Sequence, residues 1–297
     1  MAYSKGKHSA KSKTRNKNKV TYIVIPAVVA IGLFIGYKEI SSAVTSNDSE
    51  ISQNLASLPQ DIINTDNPAI AKLVKMAPMY PRIYNILNNV NDYPQKLLVM
   101  ASKKPETINF VADYPEHKGG NSTSENITVE GEYTKGEIPL FMQWDERWGY
   151  DKYGPDFFAI NGCGPTALSM VTVGLTGNTN MSPRYVENFS QQSGYLVPGV
   201  GTAWSLMTDG AKKLGLKSKV IPLSSESIIN TLEKGHPIIA TMGPGHFTTE
   251  GHYIVLTGVD SDGKIIVNDS DSKQRSSETW DVDVFLKEAK NLWAFSL

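Results

Sequence analysis

Asn161-Gly162-Cys163-Gly164-Pro165-Thr166-Ala167-Leu168-Ser169-Met170 holds the only cysteine in a chain of 297 residues. The cysteine stands between two glycines, directly before a proline and an apolar run with helical spacing (Ala167, Leu168, Met170, Val171). Proline suits the first turn of a helix, where its missing N–H would have had no partner. The glycines permit a close backbone approach and leave the thiol uncrowded. A thiol at a helix N-terminus feels the positive end of the peptide dipoles, which favours thiolate. A free cysteine is often no more than a small buried hydrophobe. Here the setting points to a nucleophile at Cys163.

A cysteine nucleophile needs a base to take its proton and a third group to orient that base. Of the five histidines, His8 lies in a basic head, His117 in a linker and His236 at a helix end. His246 and His252 remain. His252 opens the apolar strand Tyr253-Ile254-Val255-Leu256-Thr257-Gly258, whereas His246 sits in a Gly/Thr loop. A strand end holds a side chain more firmly, so His252 is the better base. The turn Asp260-Ser261-Asp262-Gly263 then folds the chain back as a hairpin, and the returning strand ends at Asn268-Asp269, about level with His252. Either side chain is able to accept the imidazole N–H, and hairpin geometry alone does not choose between them.

Composition narrows the chemistry. With 40% hydrophobic and 20% charged residues the chain is globular. One cysteine excludes an intramolecular disulfide and every Cys-pair metal site. His246 and His252 lack zinc partners, and Asn268-Asp269-Ser270-Asp271 lacks the glycine that a calcium loop turns on. No Gly-Lys-Ser/Thr is present, so a nucleotide is unsupported. No cofactor and no metal is expected.

The organisation outside this region is uneven. Residues 1–19 carry seven basic side chains and no acid, so the net charge of −1 leaves −8 on the remainder. Residues 20–37 follow without a charge, about 27 Å long as a helix and close to the ~30 Å hydrocarbon core. The basic head then places the N-terminus in the cytoplasm. A nucleic-acid patch is the weaker reading of the same residues. Ser41-Ser42-Ala43 resembles a signal cleavage site, but the apolar run is long for one, so a retained anchor is favoured. In either case the body is exported. Residues 38–60 read as a polar stalk. Residues 61–117 read as a small module of short helices, each stopped near a proline, with the bland role of a spacer or chaperoning prosegment. Residues 118–137 read as a flexible linker. Trp144, Trp148 and Trp204 are as well suited to a core as to a substrate groove.

Residues 138–297 form the last domain. Helices are expected over 203–214 and 225–234, strands over 237–242, 252–259 and 264–268, then a helix over 282–289 and a strand over 292–297. Helices first and antiparallel strands second is an α+β layout.

Gly162-Cys163-Gly164-Pro165-Thr166, Gly251-His252-Tyr253-Ile254-Val255-Leu256-Thr257-Gly258 and Val267-Asn268-Asp269 together resemble the papain-like clan of cysteine peptidases. The nearest branch is the bacteriocin-processing (double-glycine leader) peptidase-like family. The resemblance extends to Gln143-Trp144-Asp145-Glu146-Arg147-Trp148-Gly149 and to residues 199–207, and covers roughly residues 138–297. It implies a papain-like fold, with N-terminal helices packed on an antiparallel sheet. It also implies Cys163 as nucleophile, His252 as general base, Asp269 as orienting carboxylate and Gln143 as side-chain oxyanion donor. Family members usually continue from that aspartate into proline; here Ser270 follows Asp269. The resemblance leaves the anchor and the helical module unexplained; joined to the apolar span, it gives a membrane-anchored extracytoplasmic cysteine peptidase or amidase that acts on a peptide or a peptidoglycan stem through an acyl-enzyme. A peptide- or wall-binding module on the same fold and a transpeptidase are the rival readings.

Overall fold

The computed structural model describes residues 57–119 and 127–297. The basic head, the apolar span, most of the stalk and the middle of the linker lie outside the described residues. Among the described residues no helix is long and apolar enough to cross a membrane.

Short helices come first: α1 (Gln60–Ile63), α2 (Pro68–Met76), α3 (Ile83–Asn88), α4 (Gln95–Lys103) and α5 (Ile108–Asp113). Asn67 caps α2, its side-chain oxygen accepting the N–H of Ala69 at 3.0 Å ahead of Pro68 at the first helical position. Apolar residues at helical spacing (Leu73, Ile83, Ile86, Leu87, Leu97, Ala101, Val111) are almost fully buried. Burying each Leu, Ile or Val contributes roughly 1.5–3 kcal/mol, which is what holds helices this short.

Two short strands, β1 (Lys152–Tyr153) and β2 (Asp156–Phe157), lead into α6 (Phe158–Asn161) and the central helix α7 (Cys163–Thr176). Residues Gly164 through Gly174 of α7 are buried all round, the mark of a core helix. It ends at Gly177, whose φ of 69° only glycine adopts freely. Helix α8 (Pro183–Gln192) packs against it.

After the strand pair β3 (Leu196–Val197) and β4 (Gly201–Thr202) the helix expected over 203–214 is split. A 3-10 turn, Trp204–Met207, and α9 (Asp209–Lys213) are separated by Thr208 at φ −111°, ψ −80°. The remaining elements are β5 (Lys217–Val220), α10 (Ser225–Glu233), β6 (Ile238–Met242), β7 (His252–Val259), β8 (Ile265–Asn268), α11 (Lys273–Ser276), β9 (Thr279–Trp280), α12 (Val282–Glu288) and β10 (Ala289–Ser296).

These strands form one antiparallel sheet in the order β5-β10-β6-β7-β8-β9. Its two faces bury separate clusters. Tyr253 and Val255 of β7, with Ile239, Trp293 and Phe295, pack with Leu168, Met170 and Val171 of α7. Ile254 and Leu256 point the other way, toward Ile228 and Leu232 of α10 and Phe285 of α12. Period-two alternation with both faces covered explains why β7 reads as an unbroken apolar run. The architecture is therefore an α+β fold of helices, antiparallel sheet and helices, with a second helical layer beyond the one the sequence reading placed on the sheet.

Residues 58–297 make one compact unit. Phe110 of α5 stacks on Tyr150 at 4.2 Å, and the Tyr150 hydroxyl donates to the Phe110 carbonyl at 2.7 Å. Residues 127–137, the described end of the linker segment, lie on the same body: Val129 is buried and its N–H donates to the Thr179 carbonyl at 3.0 Å.

Candidate active site

Cys163 is the first residue of α7 and its side chain is half-buried. Both flanking glycines are demanded by close contact. A Cβ at Gly162 would lie 2.5 Å from the Phe158 carbonyl oxygen, and one at Gly164 would lie 2.7 Å from the side chain of Thr202. Real Cβ atoms do not approach that closely. The Gly162 N–H donates to the Phe158 carbonyl at 2.7 Å, so α6 runs almost directly into α7 and fixes where the thiol starts.

His252 opens β7 and is 6% exposed. Its Nε2 lies 2.7 Å from Oδ1 of Asp269, whose side chain is fully buried. The Cys163 thiol acts on the same ring and, like Asp269, favours its charged form. Burial opposes a charged imidazole. The Asp269 carboxylate, then the thiol, outweigh it and raise His252 to about 10. Asp269 is pushed upward by burial too, but the charge of His252 first and Arg275 next hold it below the usual carboxylate range.

The register differs from expectation. Asn268 pairs with Val255, not with His252, and a bulge lies between Leu256 and Gly258 of β7. Asp269 is the first residue beyond β8, and it leaves the ladder to reach the ring. Asn268 turns elsewhere: its Nδ2 donates to the carbonyls of Ile138 at 2.9 Å and Pro139 at 3.1 Å. Of the two residues that hairpin geometry left open, Asp269 is the one on His252.

Gln143 is 2% exposed, and its contacts define its place. Its backbone N–H donates to the Ser270 carbonyl at 2.8 Å, and its Oε1 accepts the Ser270 hydroxyl at 3.0 Å. Its Nε2 donates to the carbonyls of Ala159 at 2.9 Å and Ile160 at 3.3 Å. Swapping oxygen and nitrogen would set an acceptor against two carbonyls, so the network fixes the amide's orientation. Gln143 thus joins the approach to Cys163 with the residue after Asp269. His246 does not join the site; it pairs with Glu288, its backbone N–H donating to Glu288 Oε2 at 2.8 Å.

Several contributors lie outside the motifs. Arg275 donates from Nε to Asp269 Oδ2 at 2.6 Å, and the Asp271 N–H donates to Asp269 Oδ1 at 2.8 Å. Ser276 accepts the Asp269 N–H at 2.8 Å. Beside the thiol, the Tyr153 hydroxyl meets Thr202 Oγ1 at 2.9 Å and the Tyr253 hydroxyl donates to the Thr202 carbonyl at 2.9 Å. Of the tryptophans, Trp144 and Trp148 are buried, while Trp204 stays half-exposed against Trp293. No group of three or more potential metal ligands occurs among the described residues.

No curated protein matches the chain. A family model does: the Peptidase_C39 like family matches residues 135–295, more than half the chain and nearly the whole of the α+β domain. The matched stretch contains Gln143, Cys163, His252 and Asp269. On that match the chain belongs to the Peptidase_C39 like family, a bacteriocin-processing-like branch of the papain-like cysteine peptidases.

Proposed function

We propose that this chain is a cysteine peptidase or amidase acting on peptide amides through Cys163, His252 and Asp269. The observation that carries the reading is an imidazole held 2.7 Å from a buried carboxylate, in a domain whose single cysteine is half-buried at a helix start. A raised His252 favours imidazolium, the form of the base that donates a proton to a leaving amine. The thiolate adds to the substrate carbonyl, forming a C–S bond and moving the π electrons to oxygen. The backbone N–H of Cys163, at the positive end of α7, stabilises that oxyanion. Gln143 supplies a second donor by giving up its longer contact, to Ile160 at 3.3 Å. As the C–N bond breaks, the imidazolium protonates the leaving amine. Neutral His252 then takes a proton from water, hydroxide adds to the thioester, and the acid leaves as the thiolate returns. Asp269 keeps the ring oriented and steadies its positive form.

The peptide or peptidoglycan stem is placed outside the membrane, with residues 20–37 as anchor and the basic head inside; the charge asymmetry of the sequence supports this. Protease added to intact cells then removes residues 41–297 and spares the head. A soluble mature protein starting near Val44 would instead mark a cleaved signal. The site itself is tested by alkylation. At pH 6 iodoacetamide modifies Cys163 faster than it does an unpaired thiol, and His252→Ala removes most of that advantage. Equal rates in the two proteins would retire the catalytic pair and leave a binding module on this fold.

A further inference from the structure

The helical module touches the loop that carries Asp269. Lys104, the C-cap of α4, forms an ion pair through Nζ with Oδ1 of Asp271, the two side chains being only 24% and 19% exposed. Two residues further, Glu106 Oε2 accepts the backbone N–H of Lys273 at 2.8 Å. These anchors grip both ends of the short segment 271–273. From there the path to the ring is direct. The Asp271 N–H donates to Asp269 Oδ1 at 2.8 Å, and Arg275 spans Asp269 at 2.6 Å and Asp271 at 3.4 Å. Asp269 Oδ1 meets His252 Nε2 at 2.7 Å.

A second arm reaches the other side of the site. Lys96 of α4 pairs with Asp156, whose Oδ2 accepts from Asn161 Nδ2 at 3.2 Å, two residues before the nucleophile. Lys96 is 61% exposed, and an exposed pair contributes little. The Lys104–Asp271 pair is better buried and closer to the carboxylate, and the exposed Glu106 contact adds a second hold on the same segment.

We propose that Lys104 and Glu106 are positioning residues for Asp269, which makes the helical module a working part of the active site and not a detachable spacer. The proposal rests on the reading of Cys163, His252 and Asp269 as the reacting group. Loss of both anchors frees the loop at 269–273, and Asp269 no longer stays on the ring. The imidazolium is then less stabilised, so His252 titrates lower. Neither anchor contacts Cys163 or His252, so turnover falls while KM changes little.

The test compares full-length wild type with Lys104→Met, Glu106→Gln, the double variant and Lys104→Arg. Turnover of a peptide mixture is normalised to titrated Cys163 thiol, and the His252 ring is titrated by NMR. The double variant is expected to lose about 10–100-fold in kcat, the scale at which small misplacements act, with a downward move of the His252 titration. Lys104→Arg restores most of both. A purely stabilising contact would lower Tm and leave the His252 titration in place, which overturns the proposal. So does a folded double variant with wild-type kcat and titration. If the double variant does not fold, Lys104→Met alone, which removes the partly buried cation from Asp271, decides by the same two readouts. Failure of wild type to cleave any peptide retires the enzymatic reading, and the His252 titration still judges the anchors.

Discussion

Arg275 and His252 hold opposite oxygens of one buried carboxylate: Arg275 Nε lies 2.6 Å from Asp269 Oδ2, and His252 Nε2 lies 2.7 Å from Oδ1. The two cations share a single negative charge. Arg275 therefore steadies Asp269 while weakening its hold on the imidazolium.

Replacing Arg275 by methionine separates these effects. A fully buried carboxylate loses a partner that is itself 23% exposed, so stability falls by about 2 kcal/mol, less than for a wholly buried pair. Without the competing guanidinium, His252 titrates higher and the alkaline limb of activity moves up. Urea unfolding and a pH–rate profile measure both. A downward move of that limb would mean Arg275 acts by aligning the loop and not by sharing charge.

The pair also sets a pH window for stability. His252 is raised, so its contribution is complete below its ordinary value of 6.5 and is lost as pH rises through about 10. Asp269 is lowered, so its contribution is complete above 3.8 and is lost as pH falls toward about 2. Wild type and His252→Gln should differ most in unfolding free energy between about pH 4 and 6.5. The gap should close above pH 10. A constant gap from pH 5 to 10 would show that the ion pair contributes nothing to folding.

Gly162 gives a packing test. The obstacle to a side chain there is the Phe158 backbone carbonyl, at 2.5 Å from the added Cβ. Gly162→Ala should cost about 1–3 kcal/mol, the usual range for overpacking, and should lower kcat by displacing Cys163. An unchanged Tm would mean that α6 gives way freely.

The nucleophile's setting was legible because proline and glycine act locally. Pro165 marks a first helical turn, and Cys163 does open α7. Strand β7 was legible from end to end, since an apolar run between Gly251 and the turn at Asp260 leaves few alternatives. Edge strand β5 was not: Lys217-Ser218-Lys219-Val220 is mostly exposed and carries no alternating pattern. The split at Thr208 is missed by a helix drawn from a cap at Thr202 to a stop at Gly215, although Thr208-Asp209-Gly210 are poor helix formers. Arg275 and the Lys104 anchor had no signal at all. Their partners lie 6 and 167 residues away, in a polar loop whose path is set by tertiary packing. The offset of Asn268 followed from the bulge in β7, which strand spacing does not disclose.

The most direct test of the central claim is product release from a mixed peptide library by the full-length chain, followed by mass spectrometry beside Cys163→Ala. Wild type is expected to release cleaved peptides and to carry a transient acyl mass on Cys163, and Cys163→Ala neither. Added amines would divert product only if the acyl group passes to nitrogen nucleophiles. No cleavage by wild type, or equal cleavage by Cys163→Ala, would contradict the account.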